Sequence, residues 1–305
     1  MMNIHELNVF VEAAETENFS IAAHRLCLSQ PAVSLQIRNL EKRLGVELFR
    51  RNGRNVALSD AGKVLLPMAQ ELLHRSQHIA EVMWGLHGQV IGELSIVCST
   101  AVGKYTLPRV IAGFRRRFEA VEVAVKMMNQ RLAAGWLVDG RAEIGIVSGE
   151  VSHRDLELRP FLKDQIILIV PADHAWGDGR TIEPAELIDL PLVMDDAAAG
   201  SYEVLAEGLA THGMGVADLR PVMTLGSAEA IAMSVEAGIG AAFIPRVVAE
   251  RGLQLGCIRE VPIRGMPLQR TIYLARNEHR SPTPPEQAFW DFAFEPSSEA
   301  ARSGQ

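Results

Sequence analysis

Apolar and polar positions recur along this chain with two different periods, and the change between them divides it. Over the first 60 residues the period is helical. Leu7, Phe10, Val11 and Ala14 fall at i, i+3, i+4 and i+7, behind Asn3 and with Glu6 three residues on, a capping-box arrangement. Ser20 is expected to open a second, short helix with Ala22, Ala23 and Leu26 inward, and Ser29 a third with Pro31 in its first turn. Val33, Ile37, Leu40 and Leu44 form the apolar stripe of the third helix. At 100° per residue its opposite side carries Pro31, Leu35, Arg38 and Lys42, with Ser34 at the flank. Two short runs, 48–51 and 55–59, flank Asn52-Gly53, a strong hairpin signal because both positions favour positive φ. Ser59 then caps a helix expected to reach about residue 88. Along it Leu65, Ala69, Leu72, Ser76, Ile79, Met83 and Leu86 alternate in steps of four and three, the seam of a helix that pairs with another. Pro67 is expected to bend it.

After Gly88 and Gly92 the pattern changes to short apolar runs alternating with helical segments. Strands are expected at 94–99, 121–128, 143–147, 166–170, 190–195, 221–226, 240–245 and 271–276. Helices are expected at 106–118, 131–140, 201–213, 227–238 and near 285–294. Such alternation predicts an α/β domain with mostly parallel strands. The tail from 296 to 305 is expected to be disordered.

Composition narrows the class. The chain has 305 residues, 48% apolar and 22% charged, as in ordinary globular proteins. No window approaches the ~18 apolar residues of a membrane span, and the first residues carry no signal-peptide pattern, so a cytoplasmic protein without membrane contact is expected. Three distant cysteines suit a reducing compartment; Cys27 and Cys98 read as core. The net charge of −7 is uneven: residues 20–60 hold seven basic and three acidic residues, a basic island on an acidic chain, suited to a polyanion. Enzymatic signatures are missing: there is no GxGxxG after a strand, no GxxxxGK[ST] and no GxSxG. His74 and His78 stand four apart on the long helix without a third ligand nearby, so no metal or other cofactor is expected and the chain is not read as an enzyme.

The segment FSIAAHRLCLSQPAVSLQIRNLEKRLGVELFRRNGRNVALSDAGKVLLP (19–67) resembles the LysR-type transcriptional regulators, and the resemblance extends over nearly the whole chain. It implies an N-terminal winged helix-turn-helix rich in α-helix (1–59) and a linker helix that pairs subunits (60–89). It also implies an effector domain of two α/β lobes built like a periplasmic solute-binding protein: lobe I from 90–163 and 266–295, lobe II from 164–265. The partners it implies are promoter DNA with an imperfect T-N11-A palindrome, a small-molecule effector, a second copy in a dimer that associates into a tetramer, and RNA polymerase. The stretch LGSAEAIAMSVEAGIGAAFIPR (225–246) and Ser34-Leu35-Gln36 resemble the branch regulating carbon-fixation and cysteine-related genes. Where that branch often has a Gly-Ser-Gly-Thr loop, this chain has Asp195-Asp196-Ala197-Ala198-Ala199-Gly200-Ser201. A solute-binding or enzymatic α/β protein with an incidental basic N-terminal domain is the alternative.

Within that frame particular residues carry the chemistry. Ser29, Gln30, Ser34 and Gln36 are hydrogen-bonding types at the leading end of a recognition helix, and glutamine suits adenine. Leu35 is placed to touch a thymine methyl, Pro31 resembles a family contact position, and Arg38 is placed for phosphate. Arg50, Arg51 and Arg54 on the wing would neutralise phosphates or enter the minor groove. Leu65, Leu72, Ile79 and Met83 are the large residues of the dimer seam. The effector site is expected outside the carboxyl ends of strands. This nominates Ser99 and Thr100, Asn129, Val147 and Ser148, Ser201 and Tyr202, and Thr224 and Ser227. Helix starts there favour an anion. Asp195 and Asp196 oppose one if they face the cleft, which would suit a neutral, cationic or amino-bearing effector; if they face solvent, a carboxylate or phosphate remains possible.

Overall fold

The computed structural model describes residues 3–52, 55–85, 89–148, 154–176, 179–197 and 199–295. The chain divides into two compact units, one of residues 1–89 with Asp139–Arg141 and one of the remainder from Val90 onward. The first contains α1 (Ile4–Thr16), α2 (Phe19–Arg25), α3 (Gln30–Leu44), an antiparallel hairpin of β1 (Phe49–Asn52) and β2 (Asn55–Leu58), and α4 (Asp60–Gly85).

Local chemistry accounts for these boundaries. The capping box at Asn3 forms: its side chain accepts from the His5 amide, and Glu6 accepts from the Asn3 amide. α2 is opened by Asn18 rather than Ser20. The Asn18 Oδ1 accepts from the amides of Ser20 and Ile21 at 2.9 and 3.2 Å, and asparagine is as good a cap as serine one residue before the helix. Ser29 caps α3, with Pro31 in the first turn. Ser59 accepts from the Gly62 amide at the start of α4 and donates to the Glu47 carbonyl. Leu7, Phe10, Val33, Ile37, Leu40, Leu48 and Ala69 form one core, closed by the edge-on contacts of Phe10 and Phe19 with Phe49. Leu44 is not part of it; at the end of the α3 stripe it is exposed. Cys27 is also exposed rather than core, because it forms the left-handed turn (φ +54°) between α2 and α3.

The second unit begins with β3 (Gly92–Cys98). A π-helical turn follows at Val102–Thr106, then α5 (Leu107–Arg117), β4 (Val121–Met127), α6 (Gln130–Val138) and β5 (Ile144–Ser148). The long β6 (Leu156–Pro171) leads into β7 (Pro191–Asp195), α7 (Gly200–Ala210), β8 (Arg220–Leu225), α8 (Ala228–Glu236) and β9 (Ala241–Pro245). The chain ends through α9 (Arg246–Leu255), β10 (Ile258–Val261), β11 (Gln269–Asn277) and α10 (Pro284–Ala293).

The strand order is β4-β3-β5-β11-β6-β9-β7-β8, with β10 paired to β6. The expectation of mostly parallel pairing is corrected. β3 pairs in parallel with β4 and β5, and β7 with β8 and β9, but β6 and β11 make only antiparallel pairs. Helical crossovers enforce parallel pairing inside each lobe, whereas β6 leaves the first lobe and β11 returns to it, so these two run in opposite directions. The first half of β6, with the exposed Arg159 and Pro160, lacks the apolar run that marks its buried second half. One core gathers Leu94, Ile96, Phe114, Ile144, Ile272, Phe289 and Trp290, another Leu168, Leu192, Leu205, Leu209 and Phe243. Glu143 ties the returning chain to the first lobe: one carboxylate oxygen accepts from the Ser95 amide, the other from the Thr283 hydroxyl.

Candidate DNA-recognition surface and effector cleft

In the first unit, α3 keeps Val33, Ile37 and Leu40 inside and turns its opposite side to solvent. Gln30, Pro31, Leu35 and Arg38 are exposed along that ridge, as is Ser29 at its start, with Ser34 half-buried beside them. Leu35 is 53% exposed, an apolar side chain that the unit's core does not use. Gln30 is oriented by donating its side-chain amide to the Ser34 hydroxyl at 2.9 Å, and the Arg38 Nε donates to the Ser34 carbonyl, which leaves the rest of its guanidinium outward. Gln36 turns instead toward α1, with its Nε2 3.3 Å from the His5 Nε2.

On the wing, Arg50 stands opposite Ala57 and contacts the exposed Asp60 at 3.3 Å. The Arg51 side chain, the turn residue Gly53 and Arg54 lie outside the described residues, as do the His78 side chain and Leu86. Along α4, Leu72, Ile79 and Met83 of the expected seam are exposed. Leu65 and Ala69 are not: both pack on the unit's own core, and the apolar stripe continues outward through Met68 and Val64. The reason is that the first three turns of α4 pack on α1 and the wing, which claims the helical face that carries Leu65 and Ala69.

In the second unit, a cleft of about 330 Å3 opens between the lobes. Its position follows from the fold. Ser99 and Thr100 follow β3, Asn129 follows β4, and Val147 and Ser148 end β5. From the other lobe, Asp195 and Asp196 end β7, Gly226 and Ser227 follow β8, and Pro245 ends β9. Carboxyl ends of parallel strands from both lobes thus converge, with helices starting just beyond them. Asn129 accepts from the Leu132 amide and Ser227 caps α8.

Two nominated residues lie elsewhere. Tyr202 packs with Met194, Leu205 and Phe243 beside the second lobe's core, because its position on α7 faces the sheet. Thr224 is exposed on β8, which pairs only with β7, and the chain reaches the cleft past that strand's end.

The lining includes residues that no local pattern marked. Arg270 of β11 is paired in register with Asp164 of β6, and its Nε and Nη2 both donate to one Asp164 oxygen at 2.8 and 2.7 Å. Their side chains are only 11% and 12% exposed. A Cβ on Gly200 would lie 2.5 Å from the Arg270 Nη1 and 2.6 Å from the Ser148 Oγ, so a side chain there would displace both. Glu229 lines the second lobe's side, and Lys104, from the turn after β3, reaches it at 2.9 Å and bridges the lobes. Burial opposes the Glu229 charge, but the bonds from Lys104 and Ser227 hold its carboxyl below the usual range. Asp195 is raised, chiefly by burial, although Ser201 donates to its Oδ2 at 2.6 Å and the Asp196 amide to its Oδ1. Cys98 is buried behind the cleft, and burial pushes its thiol up to about 12, which makes it core rather than chemistry. Among the described residues no three metal-ligating side chains cluster, and no helix is long and apolar enough to cross a membrane.

Comparison with known proteins agrees with this division. Residues 4–63 match the bacterial regulatory helix-turn-helix protein, lysR family, and residues 87–295 match the LysR substrate binding domain. A protein of Trichormus variabilis named "Probable RuBisCO transcriptional regulator" is 31% identical over 94% of this chain and 86% of its own length. Full-length CbnR, solved in complex with its target DNA, superposes over 96% of this chain and 99% of its own with a TM-score of 0.73 at 22% identity. The regulatory domain of CcmR from Synechocystis, in complex with 2-PG, covers 66% of this chain and 95% of its own, with a TM-score of 0.61 at 23% identity. With both domain matches in chain order and the α3 ridge and two-lobed cleft in place, the chain belongs to the LysR family of transcriptional regulators.

Proposed function

We propose that this LysR-type regulator acts in the cytoplasm as a homodimer that associates into a tetramer. It reads an imperfect T-N11-A palindrome with two α3 helices and answers to a small molecule held between its lobes, with RNA polymerase as the partner at the promoter. The observation that carries the reading is the outward ridge of α3, where Gln30, Ser34 and Leu35 offer base-reading groups and Arg38 a phosphate contact. Arg50, Arg51 and Arg54 add phosphate or minor-groove contacts on the wing. Leu72, Ile79 and Met83 supply the dimer seam, in which Leu65 shares its side chain with the domain core. The relatives named RuBisCO transcriptional regulators favour the carbon-fixation branch for its targets. Ser99, Thr100, Asn129, Val147, Ser148, Ser201 and Ser227 form the effector site.

Footprinting on the DNA upstream of its own gene tests the reading. Arg51→Ala or Arg54→Ala weakens every sequence alike and flattens the log–log salt slope by about 0.9. Gln30→Ala relaxes base preference, by about 1–3 kcal/mol at its position. Ile79→Asp places a charge in the seam and lowers the sedimenting mass. A fragment lacking residues 1–60 that still protects the operator overturns the assignment.

A further inference from the structure

The charges around the cleft distinguish between classes of effector. Four of them cancel in pairs: Arg270 with Asp164 on the crossing strands, and Lys104 with Glu229 across the lobes. Asp195 and Asp196 place two further carboxylates on the second lobe's wall. Arg270, the one cation among the described lining residues, is committed. Two of its nitrogens hold Asp164, the third lies against Gly200, and the side chain is nearly buried.

One donor at the start of α7 is also engaged by the protein's own carboxylate. α7 starts at the cleft, and its N-cap, Ala199, offers no side-chain acceptor, so the first turn presents its positive end. The carboxylate beside that turn is the protein's own: Asp195, receiving the Ser201 hydroxyl from inside the helix. A confined cleft strengthens these interactions relative to open water.

From this lining we infer that the cleft selects a small effector carrying an ammonium group and no net negative charge, its nitrogen seated against Asp195 and Asp196 and its other polar groups against Ser99, Asn129 and Ser148. The inference rests on the reading of this cleft as the effector site. Burial of Asp195 fits the same picture, since a cation beside it offsets the solvent it has lost.

Isothermal titration of the full-length protein tests it with two sets of probes: ethanolamine, putrescine, glycine and lysine against inorganic phosphate, 3-phosphoglycerate and succinate. At least one amine is expected to bind saturably, and none of the anions. Asp196→Asn, an isosteric change at an exposed position, is expected to weaken that amine about tenfold or more. Ser148→Ala is expected to weaken it as well, which locates the binding in the cleft. Saturable binding of an anion that Ser148→Ala weakens and Asp196→Asn leaves unchanged overturns the charge class while keeping the cleft as the effector site. A panel in which no amine binds overturns the charge class too. Binding of an amine that ignores both substitutions overturns the inference and the effector-site reading together.

Discussion

The Arg270–Asp164 pair offers a quantitative test of how the two lobes are joined. Arg270→Met keeps the length of the side chain and removes its charge. Asp164 is then left 12% exposed between β6 and β11, without the two N–H donors it now accepts from. Removing one partner of a buried ion pair costs about 3–5 kcal/mol. The expected loss is therefore about 3–5 kcal/mol. For a domain of this size, each kcal/mol moves Tm by roughly 2–4 °C, so the effector-domain transition should fall by roughly 6–20 °C in scanning calorimetry. Arg270→Met combined with Asp164→Leu should recover most of the loss, since an apolar pair replaces a buried ionic one at little cost. A single variant that loses less than about 1 kcal/mol, or a double variant that recovers none of the loss, refutes the reasoning.

Three further outcomes are expected. Gly62→Ala places a Cβ 2.2 Å from the Leu48 carbonyl oxygen, backbone that cannot yield, so the DNA-binding unit should lose about 2–3 kcal/mol and its melting transition should fall. Cys27→Gly relieves a left-handed residue (φ +54°) in an exposed turn and should raise that transition by about 1 kcal/mol, with operator affinity unchanged in a filter-binding assay. Burial pushes the Glu286 carboxyl up to about 7 from its usual 4.5, so its contribution to stability is lost as pH rises through that window. Glu286→Gln should flatten the pH dependence of Tm between pH 5 and 8 and be the more stable protein at pH 8, by about 3 kcal/mol.

Most helix and strand positions were legible in the chain because they rest on local rules. Asn3 with Glu6, Ser29 with Pro31, and Ser59 are caps that operate within one turn, and each forms as its spacing implies. The stripe of α3 tells its inside from its outside, so the ridge of Gln30, Leu35 and Arg38 follows from periodicity alone. The ends of apolar runs likewise pointed to Ser99, Asn129 and Ser148, because a parallel strand delivers its carboxyl end to the ligand side of the sheet.

What only the tertiary structure decided depends on contacts between residues far apart in the chain. Leu65 and Ala69 fit a seam by spacing, but α1 and the wing cover that face first. Gln36 has the chemistry to read a base, yet His5 holds it toward α1. β6 was half-visible because its first half is flanked by β11, a strand about a hundred residues later, and alternating polar residues do not reveal that partner. The charge of the cleft was undecidable from the Asp195-Asp196 pair. Its sign depends on where β7 ends, on Asp164 having claimed Arg270 and on Lys104 having reached Glu229 across the lobes. Capping and periodicity act over a few residues and leave a trace in sequence. Long-range pairing of charges is set by how strands cross, and it leaves none.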